Sequence, residues 1–476
     1  MIPDKSIGWG NTVTLLPYPD YSVARLLDLL EVKGGLRMAL DVGGLVAVVV
    51  FYVLILAIGI WASRKSKKEE EKCVGSKSEV NMIGGRNINV LVGVFTMTAT
   101  WVGGGYIMGT AEAVYSPSQG LIWALGPLAY LITFLLAGLF FAKPMRSQRY
   151  VTMMDPFQLR YGNSITVALL LPALISDVLW VACILAALGG TMSVILGLSS
   201  YYSIALSAAV AITYTLMGGL YSVAYTDVIQ LFFMFIALWL CVPFLVLNPA
   251  SSEVTLAAFF NQSQQAPLMG ELKLEHAGKW IDELLLLVRF LRRRVVGTLT
   301  GEDRLVGVCV WVIRISVLLV GLAGTGLAFA EDSVFAFWLI SGDLIYCVVF
   351  PQLICVLHCR CANGYGATSG YLVAVTLRLL SGEPLIRLPT ALLFPGWREE
   401  GGVIHQYFPF RTLVMLSSLV CIPLASSLAT LAFSHRLLPC SWDLLAALGE
   451  EERGKDGDDG KPAVTENLLA ISSTSC

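Results

Sequence analysis

Residues 88–111 carry no charged side chain, a run long enough to cross a bilayer as a helix. The middle of the run is nevertheless ill suited to one continuous helix. Gly103, Gly104 and Gly105 follow one another, and the hydroxyls of Thr96, Thr98 and Thr100 compete for backbone hydrogen bonds. In hydrocarbon an unwound backbone survives only where protein buries it or where it lines a cavity. A helix broken at mid-depth presents free carbonyls to a cation and opens a substrate site. Trp101 stands at the break, far from the interfacial belt where membrane tryptophans collect. The stretch from Phe95 to Glu112 therefore reads as a cation site, with close helix packing through small residues as the competing explanation.

The remainder of the chain is composed to house such a segment. With 56% hydrophobic and 14% charged residues it is an integral membrane protein, and its apolar runs have helix length, so the class is all-α. The net charge of −2 says nothing about nucleic acid, but there is no basic patch with interleaved aromatics, so no nucleic-acid partner is expected. The eleven cysteines are scattered without a CxxC pair, and the four histidines stand beside no nucleophile motif. Metal-centre and enzyme readings are thereby disfavoured. Cys359 and Cys361 flank Arg360 just past an apolar run, a juxtamembrane arrangement that makes them palmitoylation candidates.

About ten crossings follow from the length criterion: 42–63, the broken 88–111, 121–142, 165–196, 203–217, 228–247, 305–330, 334–358, 364–380 and 412–433. The loop 64–86 holds Arg64, Lys65, Lys67, Lys68, Lys72, Lys77 and Arg86, which puts it inside and the N-terminal end of the first span outside. Lys143, Arg146, Arg149 and Arg160 mark the next inner end, so the alternation holds. In the fourth span Asp177 and Trp180 lie one helical turn apart on one face. Asn261 begins an Asn-Gln-Ser glycosylation acceptor in the outer loop 248–280. The alternation then fails. Arg289, Arg292, Arg293, Arg294 and Arg304 belong inside, yet the count leaves the chain outside with no crossing between. Ten crossings return the C-terminus to the side of the N-terminus. Asp343, in the middle of a span, is a functional candidate by default, with Arg314 as its candidate structural partner.

Four motifs carry a resemblance. They are Thr-Met-Thr-Ala-Thr-Trp-Val-Gly-Gly-Gly-Tyr at 96–106, Phe-Phe-Ala-Lys-Pro-Met-Arg at 140–146, Gly-Gly-Leu-Tyr-Ser-Val-Ala-Tyr-Thr-Asp-Val at 218–228 and Phe-Pro-Gln at 350–352. Through them the chain resembles the sodium/solute symporters, and within them the branch that carries choline. The resemblance implies a helix bundle built on two inverted five-helix repeats of the LeuT type. It divides the chain into an extension at 1–37, a first transmembrane region with the first repeat at 38–288, a basic junction at 289–304, remaining spans at 305–435 and an acidic, disordered tail at 436–476. Three spans of the family are missing at the junction, which leaves the second repeat incomplete and accounts for the topology conflict. The missing spans include the second broken helix, with a further cage tryptophan, and the helix whose serines complete the sodium site.

The residue roles implied by the resemblance are specific. Trp101, Tyr130 and Trp180 form an aromatic cage for the quaternary ammonium of choline, and Asp177 adds negative potential. Backbone carbonyls of Ala99 and Val102 hold co-transported Na+ at the break, beside Gly103, Gly104 and Gly105. Chloride is a candidate co-ion. The implied activity is sodium-coupled choline uptake for acetylcholine synthesis, at the plasma membrane and in presynaptic and synaptic-vesicle membranes. Partners are choline, the bilayer, and a second copy or a full-length relative. Because the second repeat is incomplete, this chain is expected to be impaired in coupled transport by itself. The alternatives are a non-transporting form that associates with full-length transporters and regulates them, and a sodium symporter of another organic solute.

Overall fold

The computed structural model describes residues 41–70, 90–116, 119–148, 150, 152–217, 220–248, 269–270, 272–288, 303–329, 333–383, 388–400, 403–439, 443 and 445. Its helices are α1 (Val42–Glu70), α2 (Val90–Trp101), α3 (Gly104–Tyr115), α4 (Leu121–Ser147), α5 (Asp155–Tyr161), α6 (Asn163–Leu196), α7 (Ser200–Met217), α8 (Leu220–Val246), α9 (Ala277–Leu287), α10 (Asp303–Ala328), α11 (Val334–His358), α12 (Gly364–Leu380) and α13 (Phe410–Ser434). Helix makes up most of the described part of each of the ten segments expected to cross. Among the described residues five helices are long and apolar enough to cross a bilayer, six when α2 and α3 count as one span. Helix α1 runs past its expected end at 63 because the lysines and glutamates that follow are good helix formers. One element departs from the all-α expectation: β1 (Arg398–Glu400) pairs antiparallel with β2 (Val403–His405) in the connection between α12 and α13.

Helix α6 is the central post. It packs against α3, α7, α10 and α11 and buries residues on most of its circumference, Pro172 among them. Around it the helices close on small residues, as expected where hydrocarbon gives helices no hydrophobic reason to associate. At the α12–α13 contact, a Cβ on Gly366 would overlap Ser426 and one on Gly370 would overlap Ile422. The Ser418 hydroxyl donates to the Gly370 carbonyl there at 3.0 Å. By contrast, α8 exposes Phe232, Phe235, Trp239 and Phe244, the composition of a lipid-facing surface. Both α4 and α11 contain a π turn, at Ala137–Ala142 and Ile345–Val349, a local widening that recurs at functional positions.

Polar clasps join the ends of distant helices. At one end of the bundle Glu112, in the last turn of α3, accepts from the Ser333 hydroxyl (2.6 Å) and the Phe335 N–H (2.9 Å) at the start of α11. That carboxylate also complements the positive N-terminal end of the α11 dipole. At the same end the Trp280 indole of α9 donates to the Ile122 carbonyl at 2.8 Å. At the other end Arg160 of α5 donates from Nε to the Ala362 carbonyl (3.0 Å), from Nη1 to the Val356 carbonyl (3.1 Å) and from Nη2 to the Arg360 carbonyl.

A broken helix facing an aromatic cluster

Helices α2 and α3 meet at a 49° bend over Val102 and Gly103. The Val102 N–H still reaches the Thr98 carbonyl (2.9 Å), and the Ile107 N–H closes the next helix on the Gly103 carbonyl (3.0 Å). Between those two bonds, among the described residues, no backbone N–H meets the carbonyl of Ala99 or of Val102. The hydroxyls of Thr98 and Thr100 bond back to the carbonyls of Val94 and Thr96 at 2.9 and 2.8 Å, which holds the last turn of α2 while the ladder stops.

The glycines after the break have a packing reason as well as a conformational one. A Cβ on Gly104 would lie 2.9 Å from the Ala187 Cβ, and one on Gly105 would lie 2.7 Å from the Cys183 Sγ. Both partners are on α6. On that helix Ser176, Trp180, Cys183 and Ala187 follow one stripe at helical spacing; Ser176 donates to the Ser341 carbonyl of α11. The half-buried Trp180 thus lies on the stripe of α6 that meets α3 and α11, and Asp177, also half-buried, sits at its edge.

Aromatic rings gather beside the break. Trp101 meets Tyr130 of α4 edge to face, with centroids 5.0 Å apart, and Phe134 at 5.5 Å. Tyr130 stacks on Tyr106 of α3 at 5.1 Å. Trp338 of α11, only 1% exposed, stands edge-on to Tyr106 and Tyr130 at 6.1 and 6.0 Å. Glycines admit it: Cβ atoms would lie 2.6 Å from Trp338 at Gly126 and 3.1 Å from it at Gly109. Such a cluster presents π faces without a matching set of charges, which suits a cation that has no proton to donate.

The structure brings Trp101 and Tyr130 together as the sequence suggested, with Gly103, Gly104 and Gly105 at the break. Two rings escaped the sequence reading, Tyr106 and Trp338. The signal for Trp338 was available, because a tryptophan in the middle of the 334–358 span breaks the interfacial rule as Trp101 does. Asn261 lies outside the described residues, as does the Arg314 side chain.

Asp343 belongs to a separate, buried charge network. Its carboxylate pairs with Arg378 of α12 and lies 3.5 Å from the Arg411 Nε of α13. Arg378 also bonds Glu383 (2.6 Å) and the Gly382 carbonyl (2.9 Å). Asp282 of α9 joins by accepting from the Thr412 N–H and hydroxyl, both 2.7 Å, and by pairing with Arg411 at 3.7 Å. Among the described residues its partners are thus Arg378 and Arg411, on two other helices.

A model of the sodium:solute symporter family matches residues 82–280. The chain is 36% identical to the high affinity choline transporter 1 of Homo sapiens, over 86% of this chain and 89% of the relative. It is 35% identical to the high-affinity choline transporter 1 of Caenorhabditis elegans with the same coverage. The human alignment runs over 520 positions but takes in 86% of a 476-residue chain. Roughly 110 positions of the relative therefore face no residue here. Among solved structures, the substrate-bound outward-open state of a Na+-coupled sialic acid symporter is similar with a TM-score of 0.51 at 14% identity, over 81% of this chain and 98% of that one.

Proposed function

The chain belongs to the sodium:solute symporter family, and on that premise we propose that it binds choline at the break between α2 and α3 and serves sodium-coupled choline uptake. The observation that carries this is the ring cluster of Trp101, Tyr106, Tyr130 and Trp338 against an interrupted helix. A trimethylammonium cannot donate hydrogen bonds, so aromatic faces are its best partners. Trp180 and Asp177 extend the site from α6. The unladdered carbonyls of Ala99 and Val102 are the positions for co-transported Na+, which as a hard cation prefers oxygen ligands. The protein is multi-pass; the plasma membrane, and presynaptic and vesicle membranes with acetylcholine synthesis as the consumer, are the locations this reading implies. A role for chloride is tested by replacing it with gluconate.

Equilibrium binding of labelled choline to the purified chain tests the cage. Trp101→Ala is expected to abolish binding and Trp101→Phe to keep part of it, since cation–π attraction is strongest for indole and survives in phenyl. Equal loss in both variants would remove the cation–π assignment, and displacement by other organic solutes in preference to choline would point to a different cargo.

Transport is a further step, and here the unmatched positions matter. We assign them to the junction at 289–304, where three family spans would complete the second repeat. Alternating access rocks one repeat against the other, so one complete repeat does not suffice. Labelled choline uptake, normalised to surface protein and compared with and without sodium, is expected to stay near background for this chain alone. Robust sodium-dependent uptake would refute the assignment. The same deficit supports a second reading, in which the chain associates with a full-length transporter and alters its delivery; an unchanged surface level of the full-length protein on co-expression would dismiss it.

A further inference from the structure

The aromatic cluster is assembled from four helices, and Trp338 reaches it on α11, far along the chain from Trp101, Tyr106 and Tyr130. A bilayer gives α11 no hydrophobic reason to stay on α3, so close packing and polar bonds set where Trp338 stands. One face of α3 supplies both, because Gly105, Gly109 and Glu112 follow one another at helical spacing. The two glycines admit the ring: a Cβ would lie 3.9 Å from Trp338 at Gly105 and 3.1 Å from it at Gly109. Glu112 fastens the contact one turn further on. Its carboxylate accepts from the Ser333 hydroxyl (2.6 Å) and the Phe335 N–H (2.9 Å), while the Ser333 hydroxyl oxygen accepts from the Ala336 N–H (3.0 Å). Phe335 is thus pinned one turn before Trp338, whose ring it meets edge to face at 6.2 Å.

The same contact covers a thiol. Cys183 of α6 is buried beneath it. Its Sγ donates to the Val334 carbonyl at 3.5 Å and lies so near Gly105 that a Cβ there would approach it to 2.7 Å. Lifting the start of α11 off α3 uncovers that sulfur, so Cys183 reports whether α11 is seated. Cys355 is buried near the other end of the same helix and reports on the rest of it.

We propose that Glu112 is a positioning residue of the choline site: by holding Ser333 and Phe335 it seats the start of α11 on α3 and so sets Trp338 against Tyr106 and Tyr130. The role rests on the reading of the ring cluster as the choline site, and Glu112 acts through Trp338 rather than by meeting the cation. Both carboxylate oxygens are engaged. An amide of the same length keeps one acceptor oxygen, whereas a methyl group keeps none.

The test uses the purified full chain and three variants, Glu112→Ala, Glu112→Gln and Ser333→Ala. Two quantities are measured well below the unfolding temperature: the rates at which N-ethylmaleimide alkylates Cys183 and Cys355, followed by peptide mass spectrometry, and equilibrium binding of labelled choline. Losing two charge-assisted hydrogen bonds in Glu112→Ala is expected to speed alkylation of Cys183 and to weaken choline binding by about tenfold each, with Cys355 unchanged. Glu112→Gln is expected to stay near the unsubstituted chain and Ser333→Ala to fall between. Ser333→Ala removes one bond and carries the same test should Glu112→Ala not be recovered folded. A joint rise of Cys183 and Cys355 would make Glu112 a residue of general stability and overturn the proposal. An unchanged Cys183 rate would overturn it too, as would unchanged choline affinity with Cys183 uncovered. If the unsubstituted chain binds no choline, it is the choline reading that fails, and the Cys183 rates decide separately whether Glu112 seats α11.

Discussion

Asp343→Ala is expected to lower the stability of the detergent-solubilised protein by about 3–5 kcal/mol, the range found when one partner of a buried ion pair is removed. Asp343 is 1% exposed and Arg378 5% exposed, so the substitution leaves a guanidinium inside the protein without its main counter-charge. The remaining contacts of Arg378, with Glu383 and the Gly382 carbonyl, do not replace it, because Glu383 already serves Arg411 at 3.7 Å. Thermal unfolding read by a thiol-reactive dye measures the loss. Combining Asp343→Leu with Arg378→Met is expected to recover much of it, since replacing both charges by packed apolar groups removes the stranded one. If the double variant is no better than Asp343→Ala, the network is valuable in itself. If the single variant is neutral, the pair is not buried as described.

Trp338→Ala is expected to cost about 3–5 kcal/mol, as large-to-small changes of buried aromatics do. In a bilayer this cost is lost packing rather than apolar surface exposed to water. Trp338 fills the space that Gly105, Gly109 and Gly126 leave open, and the backbone of Gly105 and Gly109 cannot move in to close the hole without breaking the contacts of α3 with α6. Choline binding separates packing from recognition. Trp338→Phe is expected to restore most of the stability while weakening binding, since the smaller ring packs but offers a weaker π face. Full recovery of both would make Trp338 a packing residue only.

The break at Val102 was legible because three glycines and a misplaced tryptophan in an uncharged run contradict every local preference of a membrane helix. Trp101 and Tyr130 were legible through the motif that contains one and the resemblance that names the other. The charge network was not. Asp343 stood out as a charge inside a span, but its partners lie 35 and 68 positions away on other helices, and Arg378 sits near a span end where an arginine is unremarked. Sequence periodicity was also silent on the β1–β2 hairpin, which is three residues per strand and too short to declare an alternation.

The clasps at Glu112 and Arg160 also set a timetable. Their partners lie about 200 residues further along the chain, at separations of 221 and 202 for the Ser333 and Ala362 contacts. At ribosomal speeds of about 5–20 residues per second, those partners emerge roughly 10–40 s after the early helices have left the ribosome. For that interval a carboxylate and a guanidinium at opposite faces of a half-built bundle await the groups that will satisfy them. The early helices are thus exposed to insertion chaperones and quality control for as long as α11 and the turn after it take to arrive, and a chain stalled in that window would be marked by two unanswered charges rather than by exposed apolar surface.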